Sequence, residues 1–115
     1  QVRNSKLALA LQVMEKNIED PLTPEEISEL VALSTRQLER LFSKYFGVSP
    51  KRYYLKLRLE KARDLLRQTD MSVTDVCVAC GFKSLSHFSK SYRGAYGISP
   101  GLEGGTAQLV WRGSV

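Results

Sequence analysis

The chain has 115 residues, enough for one domain or for two very small ones that share a helix. Hydrophobic residues make up 43% of it, which argues against disorder. No apolar run approaches the ~20 residues of a membrane span, and no secretory signal is visible. The formal net charge of +5 favours a polyanionic partner.

From the N-terminus, Leu7, Leu11, Met14 and Ile18 fall at i, i+4, i+7 and i+11, which predicts a helix over about 5–19, stopped by Asp20-Pro21. Thr23, Pro24 and Glu26 form a capping box with proline at the first helical position, opening a short helix that ends near Leu33. Ser34, with Gln37 three residues on, caps the next helix. Gly47 supplies the left-handed residue that ends it. Ser49-Pro50 starts a longer helix to about Thr69. Its apolar stripe is Leu55, Leu59, Ala62, Leu65 and Leu66, and lysines and arginines spread around the rest. Asp70 marks the break. Ser72 and Asp75 cap a short helix ending at Gly81, and Ser84 caps another ending at Gly97. No segment has the alternation or β-branched density of a strand. The expected fold is therefore all-α, with about six to seven helices. After Pro100, Gly101, Gly104, Gly105 and Gly113 break the helical period. Residues 101–115 read as a Gly-rich C-terminal tail with a short apolar patch at Leu109, Val110 and Trp111.

Cys77 and Cys80 form a C-V-A-C pair that invites a redox or zinc reading. A second cysteine pair is missing, His87 is the only histidine, and the βαβ setting of a thioredoxin-like site is absent. Three apart on a predicted helix, the two read as small apolar packing residues. Unpaired thiols fit a reducing, cytoplasmic compartment, and no cofactor is expected.

The chain also repeats itself. Residues 22–50 and 72–100 align at an offset of 49 before the central turn, pairing Ile27 with Val76 and Leu33 with Phe82. After the turn the offset is 50, pairing Leu38 with Phe88, Phe42 with Tyr92, Phe46 with Tyr96, and Gly47, Ser49 and Pro50 with Gly97, Ser99 and Pro100. Each copy is a short helix, a tight turn and a capped second helix, the grammar of a helix-turn-helix. The organisation expected is a first helix-turn-helix subdomain over 1–49, a linker helix over 50–69, a second subdomain over 70–100 and the tail. A linker of about 19 residues spans roughly 28 Å. With packing offsets, that is of the order of the ~34 Å between successive major grooves on one DNA face.

The outward faces suggest what is read. Arg36, Gln37 and Arg40 lie opposite the packing face of the first copy, and Ser86, His87 and Lys90 hold the same positions in the second. Arginine can hold guanine O6 and N7 in a fork, and glutamine can pair with adenine N6 and N7. Ser34, Thr35, Lys44, Ser84 and Arg93 are placed to meet the phosphate backbone, and Leu85 to meet a thymine methyl. Glu39 reads as an intrahelical partner of Arg36 or Ser43, or as simply exposed. The reading is sequence-specific binding of double-stranded DNA by two unequal heads, the first stronger. A helical module that binds an acidic protein partner is the alternative. An enzyme is the poorest reading, with one histidine and no glycine-rich phosphate loop after a strand.

Arg58-Leu59-x-x-Ala62-x-x-Leu65-Leu66, Val76-x-x-x-Cys80-Gly81-Phe82, Phe88, Tyr92 and Gly97-Ile98-Ser99-Pro100 together resemble the C-terminal DNA-binding domain of AraC/XylS-type bacterial transcription regulators, over residues 7–100. The resemblance implies two helix-turn-helix subdomains on a linker helix, bound to a promoter. The reading positions it implies are again Arg36, Gln37, Arg40, Ser86, His87 and Lys90, with Arg58 orienting the linker helix or touching the DNA backbone. It implies a separate effector or dimerisation domain, and RNA polymerase as a partner if the protein activates. Gln1 in place of an initiator Met fits a piece of a longer chain. The stretch from Pro21 to Leu59 also resembles the branch whose N-terminal half looks like a DJ-1/PfpI or glutamine-amidotransferase-like domain. Two departures stand out. The short basic helix that usually follows the last Ser-Pro is replaced by Gly101-Leu102-Glu103-Gly104-Gly105, and Gly94-Ala95 thins the basic exit of the second reading helix.

Overall fold

The computed structural model describes residues 4–103, and among these there is no strand. Six helices follow in order: α1 (Ser5–Lys16), α2 (Pro24–Leu30), α3 (Thr35–Phe46), α4 (Pro50–Gln68), α5 (Val73–Ala79) and α6 (Leu85–Tyr96). Residues 100–103 are helical as well. The chain divides into two compact units, one up to Leu57 and one from Arg58, and the division falls within α4.

The helix starts are set by side chains that accept from orphan backbone donors. Thr23 and Ser34 each make a full capping box with the residue three positions on, Glu26 and Gln37. Ser72 and Ser84 accept from Asp75 and His87 N–H without reciprocation. Ser49 and Ser99 repeat the device ahead of a proline, accepting from Arg52 N–H at 3.1 Å and Leu102 N–H at 3.3 Å. α1 ends at Lys16, earlier than its apolar period suggests. Asn17 turns its side-chain amide onto Val13 O at 2.7 Å and its own N–H onto Met14 O, which closes the helix before Asp20-Pro21.

In the first unit Leu7, Ala10, Met14, Ile27, Val31, Leu38, Phe42 and Tyr54 form the buried core. The Tyr54 hydroxyl donates to Asn17 O and accepts from Leu22 N–H at 3.2 Å, so one phenol ties down both ends of the α1–α2 connection. Tyr53 closes an aromatic triad, with ring centroids 5.4 Å from Phe42 and 4.6 Å from Phe46.

The second unit buries Leu59, Ala62, Leu66, Val76, Cys77, Cys80, Phe82, Phe88 and Tyr92. Phe82, Phe88, Tyr92 and Tyr96 stack in succession at 4.9, 5.8 and 4.8 Å. The repeat carries an instructive exchange here. Tyr92 stands where the first copy has Phe42, and Glu103 where it has Tyr53, at the offset of 50. The added hydroxyl needs an acceptor, and Glu103 supplies one at 2.7 Å. The buried carboxylate in turn takes Arg63 at 3.2 Å and Arg67 at 2.8 Å, both from α4. An aromatic contact in one unit is thus a polar cluster in the other. Residues 101–103, expected within the Gly-rich tail, are helical: Ser99 caps residues 100–103 into a helical turn, and that turn delivers Glu103 to its partners. The apolar patch at Leu109, Val110 and Trp111 lies outside the described residues.

Candidate nucleic-acid interface

Each candidate reading helix is aimed by the turn before it. After α2, Ala32 N–H donates to Glu29 O and Leu33 N–H to Ser28 O; after α5, Gly81 N–H donates to Val78 O and Phe82 N–H to Cys77 O. These are two copies of the Schellman turn, which requires a left-handed residue at its corner. Gly81 takes that conformation freely at φ 80°, whereas Ala32 is held there at φ 58°. Ala32→Gly is therefore expected to raise stability by about 1 kcal/mol and Gly81→Ala to lower it by about 1–2 kcal/mol, measured by urea unfolding.

A cation braces each corner carbonyl. Lys6 Nζ donates to Ala32 O at 3.0 Å. Arg58 donates from Nε to Cys80 O at 2.9 Å and from Nη2 to Gly81 O at 2.8 Å, and its guanidinium lies 4.3 Å from the centre of the Phe82 ring. Of the two roles implied for Arg58, the geometry supports the orienting one. The fork fixes α4 to the second turn. Lys6 on α1 does the same for the first turn, a pairing that no sequence signal marked. The one residue by which the second turn exceeds the first is Lys83, exposed between Phe82 and the Ser84 cap.

On α3, Leu38 and Phe42 are buried while Arg36, Arg40, Ser43 and Lys44 are exposed on the opposite arc. Gln37 and Glu39 are exposed on its two flanks. Gln37 is not idle there. Its Oε1 accepts from Ser34 N–H at 2.9 Å while its own N–H donates to Ser34 Oγ at 3.1 Å. Reading adenine with both amide atoms therefore competes with capping. Ser34 Oγ keeps its hydroxyl hydrogen for another acceptor, and Thr35 begins the helix, half-buried. Glu39 pairs with neither Arg36 nor Ser43 among the described residues, and the ion pairs of Glu103 involve Arg63 and Arg67. The exposed cations of the reading arcs are not neutralised by those pairs.

On α6, Phe88 and Tyr92 are buried, and Leu85, Ser86, His87, Lys90, Arg93 and Gly94 are exposed. Lys90 and Arg93 supply the charge of this arc. The His87 ring lies 5.5 Å from Phe82, so the imidazole touches the turn on one side while the residue stays exposed. Ser84 Oγ accepts from His87 N–H at 3.0 Å and, like Ser34, retains its hydrogen.

Cys77 and Cys80 lie beneath the second turn, 4% and 0% exposed. The Cys77 thiol points at Phe82 O and Ser84 O, 3.7 and 3.6 Å away. Burial pushes both thiols up, Cys80 to about 11, which keeps them protonated and poor nucleophiles at neutral pH. Among the described residues no three His, Cys, Asp or Glu side chains are grouped to hold a metal ion, and no helix is long and apolar enough to cross a membrane.

Two braced turns, each followed by a capped helix with a basic outer arc, define a tandem helix-turn-helix chain. It belongs to the AraC-type helix-turn-helix family: a family model described as a helix-turn-helix domain matches residues 27–102. The HTH-type transcriptional regulator GbdR of Pseudomonas aeruginosa is 54% identical over 95 residues, which are 83% of this chain and 26% of that protein. A crystal structure of a transcriptional regulator from Chromobacterium violaceum, described with AraC-type DNA-binding domain-containing proteins, is 48% identical with a TM-score of 0.84, covering 89% of this chain and 91% of that one. The DNA-binding domain of AdpA, solved with a target DNA, has a TM-score of 0.86 at 24% identity over 92% of this chain and 96% of that one, a likeness of fold. The chain spans about a quarter of the length of GbdR.

Proposed function

We propose that this chain binds duplex DNA sequence-specifically, through α3 and α6 in successive major grooves, and so regulates transcription from a promoter. The observation that carries the proposal is the duplicated arc: Arg36, Arg40 and Lys44 on one capped helix, and Lys90 and Arg93 on the other, exposed and outside the ion pairs of Glu103. Arg36 and Arg40 are the base readers of the first head, with Gln37 joining them when it leaves its cap. Ser86, His87 and Lys90 read the second half-site more loosely. Ser34, Thr35, Lys44, Ser84 and Arg93 meet phosphates. Phosphate contacts by Lys44 and Arg93 make affinity fall with salt, with a slope of log K against log salt of about −2 or steeper.

Selection of bound sequences from a random duplex library tests the whole reading. Enrichment of one asymmetric motif, with the more sharply defined half assigned to α3, is the expected result. A library without enrichment would favour the helical module that binds an acidic protein. The remainder of a protein of GbdR's length has room for an effector or dimerisation domain, and RNA polymerase is the further partner if the whole protein activates. On this reading the chain works in the cytoplasm, where bacterial promoters are.

A further inference from the structure

Gly94 lies in the last turn of α6, on the exposed arc, one turn beyond Lys90 and next to Arg93. Glycine weakens a helix because its backbone loses more freedom on folding than that of any other residue. At most such positions the protein itself explains the glycine, through a left-handed backbone or a neighbour too close for a Cβ. Neither holds here. The Gly94 φ is outside the left-handed range, and a Cβ placed on it would meet nothing within 4 Å among the described residues. Gly97, three residues later, is the contrasting case, with φ 78° at the helix end. The equivalent position in the first copy is Lys44, so the fold accepts a long side chain there. What the missing side chain leaves is a shallow open depression lined by Ser89, Lys90, Arg93 and Gly94.

We infer that Gly94 is a clearance position for DNA: the absent side chain lets the α6 backbone approach the sugar-phosphate wall of the groove, with Arg93 closing on a phosphate at the edge of the depression while Lys90 reaches on toward the bases. The inference rests on the proposed DNA reading. A glycine within a helix, with no reason for it among the described residues, is accounted for by a partner that comes close to the backbone. The two heads then differ in kind. The first reaches its phosphate with the long arm of Lys44, whereas the second brings its backbone in.

The test sets stability against affinity. Gly94→Ala and Gly94→Lys are compared with the unchanged chain in thermal unfolding and in titration with the duplex enriched from the random library. Alanine is expected to raise the unfolding midpoint by a few degrees and to weaken binding about fivefold or more. Lysine is expected to weaken binding as well, although it adds a positive charge. Unchanged or tighter binding by the alanine variant, or tighter binding by the lysine variant, overturns the inference and makes position 94 a vacant phosphate contact. A lower unfolding midpoint for alanine also overturns it, since the glycine would then serve the fold. Failure of the unchanged chain to enrich any duplex sinks the DNA reading itself, a separate result from any of these.

Discussion

Glu103→Ala is expected to destabilise the second unit by about 2–4 kcal/mol, the largest effect of any single truncation outside the apolar core. The Glu103 side chain is 7% exposed and carries three bonds at once, from the Tyr92 hydroxyl, Arg63 Nε and Arg67 Nε. Removing it leaves the Tyr92 hydroxyl buried without an acceptor, a desolvation cost of about 1–3 kcal/mol. It also releases two arginines from a shared carboxylate. Arg63 and Arg67 are 33% and 50% exposed, so water replaces much of what they lose, and the estimate stays below that for a fully buried pair. Glu103→Gln keeps an acceptor for Tyr92 and is expected to cost about half as much. Urea unfolding at pH 7 distinguishes the two, and equal losses would mean that charge rather than the phenol bond dominates.

The same cluster sets a pH dependence. Burial by itself raises the Glu103 carboxyl, but the hydrogen bonds from Tyr92 and Arg67 outweigh it and leave the group below its ordinary value. Its contribution is therefore complete above the unfolded carboxyl range near ~4.3 and fades as pH falls through the lower folded value. The difference between the unchanged chain and Glu103→Gln should narrow below about pH 4. Tyr92 acts at the other end of the scale. Burial first, and the bond to Glu103 second, push its phenol up, so its contribution is intact below ~10 and is lost as pH rises beyond that.

Arg40→Ala should weaken binding to the selected duplex by about 1–3 kcal/mol and relax preference at one base position. The residue sits at the centre of the exposed α3 arc, opposite buried Leu38 and Phe42, and on the proposed reading its guanidinium meets the groove edge. Lys44→Ala should instead weaken all sequences about equally and lower the salt slope by about 1. Lys44 lies one turn further along, exposed, its amine 5.6 Å from the Tyr45 ring; on the proposed reading it meets a backbone phosphate rather than a base. Parallel titrations against the selected duplex and a scrambled one, at two salt concentrations, separate these outcomes. The reverse pattern would exchange the reading and positioning roles of the two residues.

Much of the scaffold was legible in the sequence because it is specified locally. Thr23, Ser34, Ser72 and Ser84 each cap a helix through a bond to a residue three positions away, and Gly47 and Gly97 end helices by their own φ. The repeat then exposed which positions pack and which face out. The orienting role of Arg58 was implied by the resemblance, but its partners Cys80 and Gly81 were not, and Lys6 on Ala32 and Arg63 and Arg67 on Glu103 left no local mark in the sequence, because these braces join residues 22 to 40 positions apart. A lysine or arginine on an amphipathic helix looks the same in sequence whether it faces water or a turn carbonyl. The one available hint was Glu103 itself, an acid aligned with the Tyr53 of the first copy.

By itself the sequence determined the order of helices, their caps and stops, the duplication and the basic character of both outer arcs, since each depends on bonds or periodicities within a few residues. Only the tertiary structure decided what the side chains of those arcs touch within the protein. It laid the His87 ring against Phe82 and left a gap at Gly94 that no other described residue fills. It also drew Glu103 out of an apparently featureless glycine-rich end into a buried cluster. The physical reason is the same in each case. A side chain's partner is whatever the fold brings within ~3–5 Å of it, and neither residue type nor spacing along the chain fixes that.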